Sequence, residues 1–179
     1  MKIFIVNGKG KSGKDSFESF VINYAERLAA TPVVKISIID YVKDIASYAG
    51  WDGGKTMEDR RFLCDLKKIL TEWNDSPMQD LYSSIQDIKE HEGENVTIFI
   101  DMREPNDIER FEKICSSNGW RYSSVLIKRD EFDNLSYGNS ADDNVFNYFY
   151  DIIIENNGTL EDLKNSAEYF YNNYIGGIL

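Results

Sequence analysis

The apolar positions along the chain fall into two alternating patterns. Short runs rich in apolar and β-branched residues stand at 2–6, 33–39, 96–100, 123–128 and 151–155. Their shortness and near-continuity predict strands buried on both faces of a parallel sheet. Between them the apolar residues recur at helical spacing. Phe17, Phe20, Val21, Tyr24, Ala25 and Leu28 mark a helix ending near Thr31-Pro32. Asp40 is placed to cap a second helix that stops about Gly50, since aspartate suits an N-cap and glycine a C-terminal stop. Residues 57–73 and 78–91 read as two amphipathic helices, with Pro77 where a first-turn proline is tolerated. Residues 106–117 carry Ile108, Phe111, Ile114 and Cys115 on one side of a further helix. Thr159 caps the last helix, which bears Leu160, Leu163, Ala167 and Phe170. Residues 129–144 are polar, acidic and without period, and predict a loop.

Strand and helix in alternation predict an α/β fold of three layers, with a central, mostly parallel five-stranded sheet and helices on both faces. Ligands of such sheets sit outside the carboxyl ends of the strands. The loops after residues 6, 39, 100 and 128 therefore converge on one edge. No linker, repeat or low-complexity segment interrupts the pattern, so one domain is expected over residues 1–179.

Composition narrows the function. Hydrophobic residues make up 42% and aromatics 13%, enough to bury a core without disulfides. With 31 acidic against 20 basic side chains the net charge is −11, which argues against a nucleic-acid polymer as partner. A small anionic ligand stays open, because a pocket can be positive on an acidic protein. Cys64 and Cys115 lie far apart, with no CxxC, and read as reduced thiols in helices of a cytoplasmic protein. The one histidine, His91, sits in Lys89-Glu90-His91-Glu92 and reads as a solvated helix end rather than a catalytic base. No apolar run has the length of a membrane span, and the opening MKIFIVNGKG has no signal-peptide shape.

The chemistry concentrates in Gly8-Lys9-Gly10-Lys11-Ser12-Gly13-Lys14-Asp15-Ser16, between the first strand and the first helix. It fits G-x-x-x-x-G-K, the phosphate-binding loop. Its glycines let backbone N–H groups curl around an anion, and the helix N-terminus adds partial positive charge. Lys14 then reaches the β/γ-phosphates. Asp15 stands where a Ser or Thr commonly follows, with Ser16 next. Asp101 ends the third strand, where a carboxylate can hold Mg²⁺ or accept a proton; the alternative is an Asp that caps the next turn. Arg103 can grip a second phosphate group, or pair with Glu104 or Asp107. Phosphoryl transfer needs more cations than one lysine. Lys43, Arg60, Arg61 and Arg129 follow successive strand ends, and at least two of them are expected to serve, the rest being surface charges. Trp51, Trp73, Tyr41 and Tyr48 read as core aromatics, with stacking on an acceptor base as the alternative. Tyr169, Phe170, Tyr171 and Tyr174 read as core plus an interface edge, which leaves a homodimer open.

Lys11-Ser12-Gly13-Lys14-Asp15-Ser16 resembles the phosphate loop of the bacteriophage-type deoxynucleoside monophosphate kinases, of the P-loop nucleoside-monophosphate-kinase superfamily, which also places Asp after the lysine. Ser37-Ile38-Ile39-Asp40-Tyr41-Val42-Lys43 looks like the opening of that family's acceptor region. Asp101-Met102-Arg103-Glu104-Pro105-Asn106-Asp107-Ile108 is similar to its Asp-x-Arg-x-Pro-Asn-Glu motif, with Asp107 where Glu is usual. Ile154-Glu155-Asn156-Asn157-Gly158-Thr159-Leu160 resembles its last strand and turn. The segment Ser140-Ala141-Asp142-Asp143-Asn144 departs from the family's pattern.

The resemblance implies ATP phosphates on residues 8–16 with Lys14 central, and Asn156 and Gly158 near the adenine. It implies Mg²⁺ at Asp15, Ser16 and Asp101. It implies acceptor contacts at Asp40, Lys43, Arg60 or Arg61, and Arg103, within a helical region of residues 40–92. Arg129 would be a lid-type arginine on a short lid, residues 129–144. Lys14, Arg103, Arg129 and Asp101 form the expected catalytic set. The expected activity is ATP-dependent phosphoryl transfer to a nucleoside or deoxynucleoside monophosphate. Two alternatives stand beside it: a P-loop kinase of another small acceptor, such as phosphomevalonate or dephospho-coenzyme A, and an ATP-binding sensor that transfers nothing.

Overall fold

The computed structural model describes residues 1–133 and 143–177. Five strands, β1 (Lys2–Asn7), β2 (Val33–Ser37), β3 (Thr97–Asp101), β4 (Arg121–Lys128) and β5 (Ile152–Glu155), join one sheet in the order β2-β3-β1-β4-β5. Every pairing is parallel, where a mostly parallel sheet was expected. Among the described residues the helices are α1 (Lys14–Arg27), α2 (Asp40–Tyr48), α3 (Met57–Asn74), α4 (Ser76–Glu92), α5 (Pro105–Asn118), α6 (Asp130–Asp133) and α7 (Leu160–Phe170). A 3₁₀ turn covers Val145–Asn147, and a wide turn over Tyr171–Ile175 follows α7.

Local chemistry sets several boundaries. Thr56 and Thr159 open α3 and α7 with reciprocal capping boxes to Asp59 and Asp162, satisfying N–H groups that a helix start leaves orphaned. Pro105 opens α5, and Gly119 ends it at φ 65°, a left-handed conformation that suits glycine.

Strand periodicity divides the core into two layers. Ile3, Ile5, Ile98 and Ile100 face Met78, Leu81 and Ile85 of α4 and Ile108, Phe111 and Cys115 of α5. On the other face, Phe4, Val6, Phe99, Val125 and Ile127 meet Phe17, Val21 and Ala25 of α1 and Leu163, Ala167 and Phe170 of α7. Phe170 is the hub of that layer. Its ring centroid lies 5.0 Å from Phe4, 5.4 Å from Phe17 and 6.1 Å from Phe99, at edge-to-face angles that suit aromatic quadrupoles. The sheet order reverses at β1, so its carboxyl end is the topological switch point where α/β sheets bind ligands.

Several expectations are corrected. β2 stops at Ser37 rather than residue 39, and α2 has Ile39, not Asp40, as its N-cap. Asp40 is the first helical residue, and its Oδ2 accepts the Ser37 N–H at 2.8 Å, so it fixes the turn from inside the helix. The first helix ends at Arg27, ahead of Ala29 at φ 47°. The stretch 129–144 is not all loop, since α6 lies within it; its residues 134–142 lie outside the described residues. Tyr48 and Trp73 are 93% and 82% exposed and are not core aromatics. Tyr41 and Trp51 are half-buried. Phe170 and Tyr171 are buried while Tyr169 and Tyr174 are exposed. Cys64 and Cys115 are free thiols in α3 and α5, and His91 lies exposed in the last turn of α4. No helix among the described residues is long and apolar enough to cross a membrane.

Truncating a fully buried aromatic removes transfer free energy and leaves a cavity. Phe170→Ala is expected to cost about 3–5 kcal/mol in urea unfolding, whereas Tyr169→Ala, on the exposed side of the same helix, stays within about 0.5 kcal/mol. Equal losses in the two variants would contradict the two-layer core.

Candidate functional site

The site begins where β1 runs out. Asn7 is fully buried, and its Oδ1 accepts the Gly8 N–H at 2.8 Å. Its Nδ2 donates to the Arg103 carbonyl at 2.9 Å and to the Tyr150 hydroxyl at 2.7 Å. One side chain thus ties the loop after β1 to the loop after β3 and to the segment before β5. Two glycines are required by space. A Cβ on Gly8 would lie 2.8 Å from the Ile127 carbonyl. Gly13 holds φ +90°, and its Cβ would lie 2.3 Å from Asn156 Nδ2. That amide donates to the Ser12 carbonyl at 2.8 Å, clamping the loop to the turn after β5. Lys11 takes φ 69° without being glycine, a strained conformation of the kind that collects at ligand sites. The loop then opens α1 at Lys14, whose first-turn N–H groups have no intrahelical acceptor and face an anion's natural position.

Behind the loop, five charged side chains interlock. Lys14 Nζ lies 2.6 Å from Asp101 Oδ1, 3.0 Å from Asp15 Oδ1 and 3.3 Å from Glu18 Oε2. Lys35 Nζ lies 2.6 Å from Glu18 Oε2, 2.9 Å from Asp15 Oδ1 and 3.2 Å from Asp101 Oδ2. Sequence reasoning missed Glu18 and Lys35. The available signals were a lysine interrupting an apolar strand and a glutamate four residues after Lys14, on the apolar stripe of α1. Burial pushes the Glu18 carboxyl up to about 7, with the adjacent Asp101 charge adding to the rise. Burial acts the same way on Asp101, but Lys14 and Lys35 outweigh it and hold that carboxyl below its ordinary value. Asp15 is likewise held well below the carboxylate range, its burial outweighed by Lys35 and Lys14. Burial works against the charge on Lys35, yet Asp101, Glu18 and Asp15 raise it above the ordinary lysine value.

Two cavities flank this cluster. The first, about 470 Å³, is lined by residues 9–16, Arg103, Arg129, Asn156, Gly158, Thr159, Leu160 and Leu163. Arg129 lies 3.3 Å from Glu131 Oε2, with its guanidinium 5.5 Å from the Phe132 ring centre. The second, about 590 Å³, runs from the loop across the end of β2 to α2 and α3. Gly10, Lys11, Lys14, Asp15 and Arg103 line both. The second cavity carries eight cationic side chains against four carboxylates, the reverse of the chain's overall balance.

The sequence candidates distribute unevenly over this geometry. Lys9, Gly10, Lys11, Ser12, Gly13, Lys14, Asp15, Ser16, Asn156 and Gly158 line the first cavity, and Gly8 lies beneath the loop. Asp40, Lys43, Arg60, Asp101 and Arg103 line the second. Asp40 and Lys43 are paired at 2.8 Å on its rim. Arg61 is off the site: its side chain is 85% exposed and sits 3.8 Å from Asp65. Successive helical residues diverge by about 100°, so Arg60 and Arg61 cannot face one cavity together. Of the four aromatic candidates, Trp51 alone is among the described lining residues, and its Nε1 donates to Asp59 Oδ1 at 3.1 Å. Lys67 was not anticipated. It is buried in the wall of the second cavity, bonded to Glu104 Oε2 at 2.7 Å and to Asp107. These two carboxylates hold it charged against its burial.

The residues present fit a nucleotide phosphate with a hard divalent cation. Ser12 Oγ is buried without a hydrogen-bond partner, and the loop has no room for a side chain at Gly8 or Gly13. Ligand oxygens of Asp15, Glu18 and Asp101 lie within 4.8 Å of one another, the donor type that Mg²⁺ takes.

No protein-family model matches the chain, and no curated protein matches it. Among solved structures it is similar to the APS kinase CysC of Mycobacterium tuberculosis in complex with AMPPNP and APS, at 13% identity over 92% of this chain and 94% of that one, with a TM-score of 0.47. It is also similar to shikimate kinase from Bacteroides thetaiotaomicron, at 15% identity over 94% of each chain and a TM-score of 0.42. A sugar kinase from Janibacter sp. matches at 14% identity over 93% of this chain and 92% of that one, again at 0.42. At such identities and scores the likeness says nothing of activity.

The raised Glu18 carboxyl makes stability depend on pH. A carboxyl that titrates near 7 when folded and near 4.5 when unfolded contributes stability fully below 4.5, and this is lost as pH rises through 7. Glu18→Gln, which mimics the protonated form, should therefore gain on the wild type between pH 5 and 7, by at most about 1.4 kcal/mol per pH unit. Urea unfolding of both proteins across this range checks it, and parallel pH profiles would contradict the shift.

Proposed function

We propose that the chain is an ATP-dependent phosphotransferase acting on a nucleoside or deoxynucleoside monophosphate. The observation that carries this reading is the junction of two cavities at Lys14, Asp15 and Arg103. One has the loop and helix N-terminus that suit a donor's polyphosphate. The other is lined mainly by cations in a chain of net charge −11, which suits a phosphorylated acceptor.

In the transfer, the bond from the β,γ-bridging oxygen to the γ-phosphorus breaks, and an acceptor phosphate oxygen bonds to that phosphorus. That oxygen is already a nucleophile at neutral pH, so the chain needs no strong general base. Catalysis rests on position and charge. The loop N–H groups and Lys14 hold the donor phosphates. Arg103, in the wall of both cavities, faces the shared space where charge accumulates. Arg129 stands on the donor side, and Lys43 and Arg60 on the acceptor side. Mg²⁺, when bound, supplies positive charge to the phosphate oxygens, and Asp15, Ser16 and Asp101 are the residues that would hold it.

A second reading, a kinase of a phosphorylated acceptor without a base, draws support from Trp51 being the single aromatic candidate on the described wall of that cavity. The test is ADP formation with ATP and Mg²⁺ against ribo- and deoxynucleoside monophosphates, run beside Lys14→Ala. The expected result is acceptor-dependent turnover that falls about 10²–10³-fold in the variant. Turnover with base-free phosphorylated compounds alone would favour the second reading. ATP binding with no turnover on any acceptor would overturn both in favour of a sensor.

A further inference from the structure

Lys35 occupies an unusual place for a strand lysine. Its Nζ contacts one oxygen from each of three carboxylates, Glu18, Asp15 and Asp101, at 2.6, 2.9 and 3.2 Å. Ligand oxygens of the same three residues lie within 4.8 Å of one another, which makes Nζ one of two ammonium cations in a small oxygen cage, beside that of Lys14. We propose that the Lys35 ammonium holds the place of a divalent cation, that the metal enters by displacing it, and that Glu18 is a carboxylate ligand of that metal. This rests on the divalent-ion part of the proposed function and is independent of which acceptor is used.

The second observation concerns Glu18 itself. It is fully buried, and neither lysine nor any other donor among the described residues reaches its Oε1, which leaves the neighbouring Asp101 carboxyl as its polar company. In a network built only for stability, a buried carboxylate would have both oxygens satisfied, because an unmet buried acceptor costs desolvation free energy with no return. A cation entering the cage would use that idle oxygen. Charge points the same way. When all three carboxylates are ionised the two lysines leave one excess negative charge, and exchanging one ammonium for a dication neutralises it.

The two lysines differ in their freedom to leave. The Lys14 side chain is 7% exposed, whereas that of Lys35 is 30% exposed and stands on β2, the edge strand of the sheet. Lys35 also lines the second cavity, so its flexible stem can carry the ammonium out of the cage toward an anionic acceptor. An Mg²⁺–oxygen distance then needs the carboxylates to draw in by about half to one ångström, to about 2.1 Å.

The experiment is a titration with Mn²⁺ alone, without nucleotide, followed by the loss of the free-ion electron paramagnetic resonance signal. Lys35→Met should acquire one Mn²⁺ site at least tenfold tighter than any in the wild type. Lys35→Arg, which keeps the charge, should not. Adding Glu18→Gln to Lys35→Met should abolish the gain. Far-UV circular dichroism confirms that each variant is folded. If Lys35→Met does not fold, Glu18→Gln in the otherwise unchanged chain should weaken Mn²⁺ binding at least tenfold. Equal Mn²⁺ affinity in Lys35→Met and wild type, a gain that survives Glu18→Gln, or, in the fallback, unchanged binding in Glu18→Gln would each overturn the proposal. No nucleotide is present, so such a failure leaves the kinase reading standing, and an inactive kinase would leave this one standing.

Discussion

Five charged side chains converge where the carboxyl ends of β1, β2 and β3 meet the start of α1, and their mutual compensation governs the rest of the site. Glu18 is fully buried and Asp101 partly so, and a charge on either carboxyl there calls for a cation at contact distance. Lys14 and Lys35 supply those contacts. The arrangement leaves the loop lysine held by carboxylates and a helix N-terminus open to an anion. In the proposed function an arriving phosphate would let Lys14 exchange carboxylate partners for phosphate oxygens, with Lys35 or a metal ion left to neutralise them. Charge compensation, more than any single contact, links the ligand to the fold.

The fold places these charges by ordinary rules. Parallel pairing of β2 with β3 puts Ser37 beside Asp101 and Lys35 two residues back, within reach of the same cluster. α1 packs Phe17 and Val21 into the aromatic layer around Phe170, which carries Glu18 inward with them. Asn7 and Asn156 fasten the phosphate loop to the segments on either side, so the loop's strained turn at Lys11 is held by buried hydrogen bonds rather than by its own propensity.

Much of this was legible in the sequence because it depends on local patterns. Five apolar runs separated by amphipathic stretches specify a layered α/β sheet, and the glycine–lysine spacing after the first run marks the candidate anion site. What was not legible depends on rotation and register. Arg60 and Arg61 are equivalent in composition, yet helix geometry turns one toward the cavity and the other to solvent. Glu18 lies on the apolar stripe of α1, but its partners become visible only once α1 is packed against the sheet. Lys35 becomes meaningful only once the β2–β3 register is known. Tyr48 and Trp73 look like core residues by type, but their faces of α2 and α3 have nothing packed over them among the described residues. Asp40 caps in the sequence reading and is instead the first helical residue, so the helix begins one position earlier, a shift smaller than composition can resolve.

The claim at the centre is that residues 8–16 form a nucleotide-phosphate site in which Lys14 trades carboxylates for phosphate. Calorimetric titration of ATP with Mg²⁺ into the wild type and Lys14→Ala tests it most directly. The account predicts one site per chain in the wild type and at least a tenfold weaker one in the variant, about 1.4 kcal/mol or more. Absence of binding to the wild type, or equal affinity in both, would contradict it.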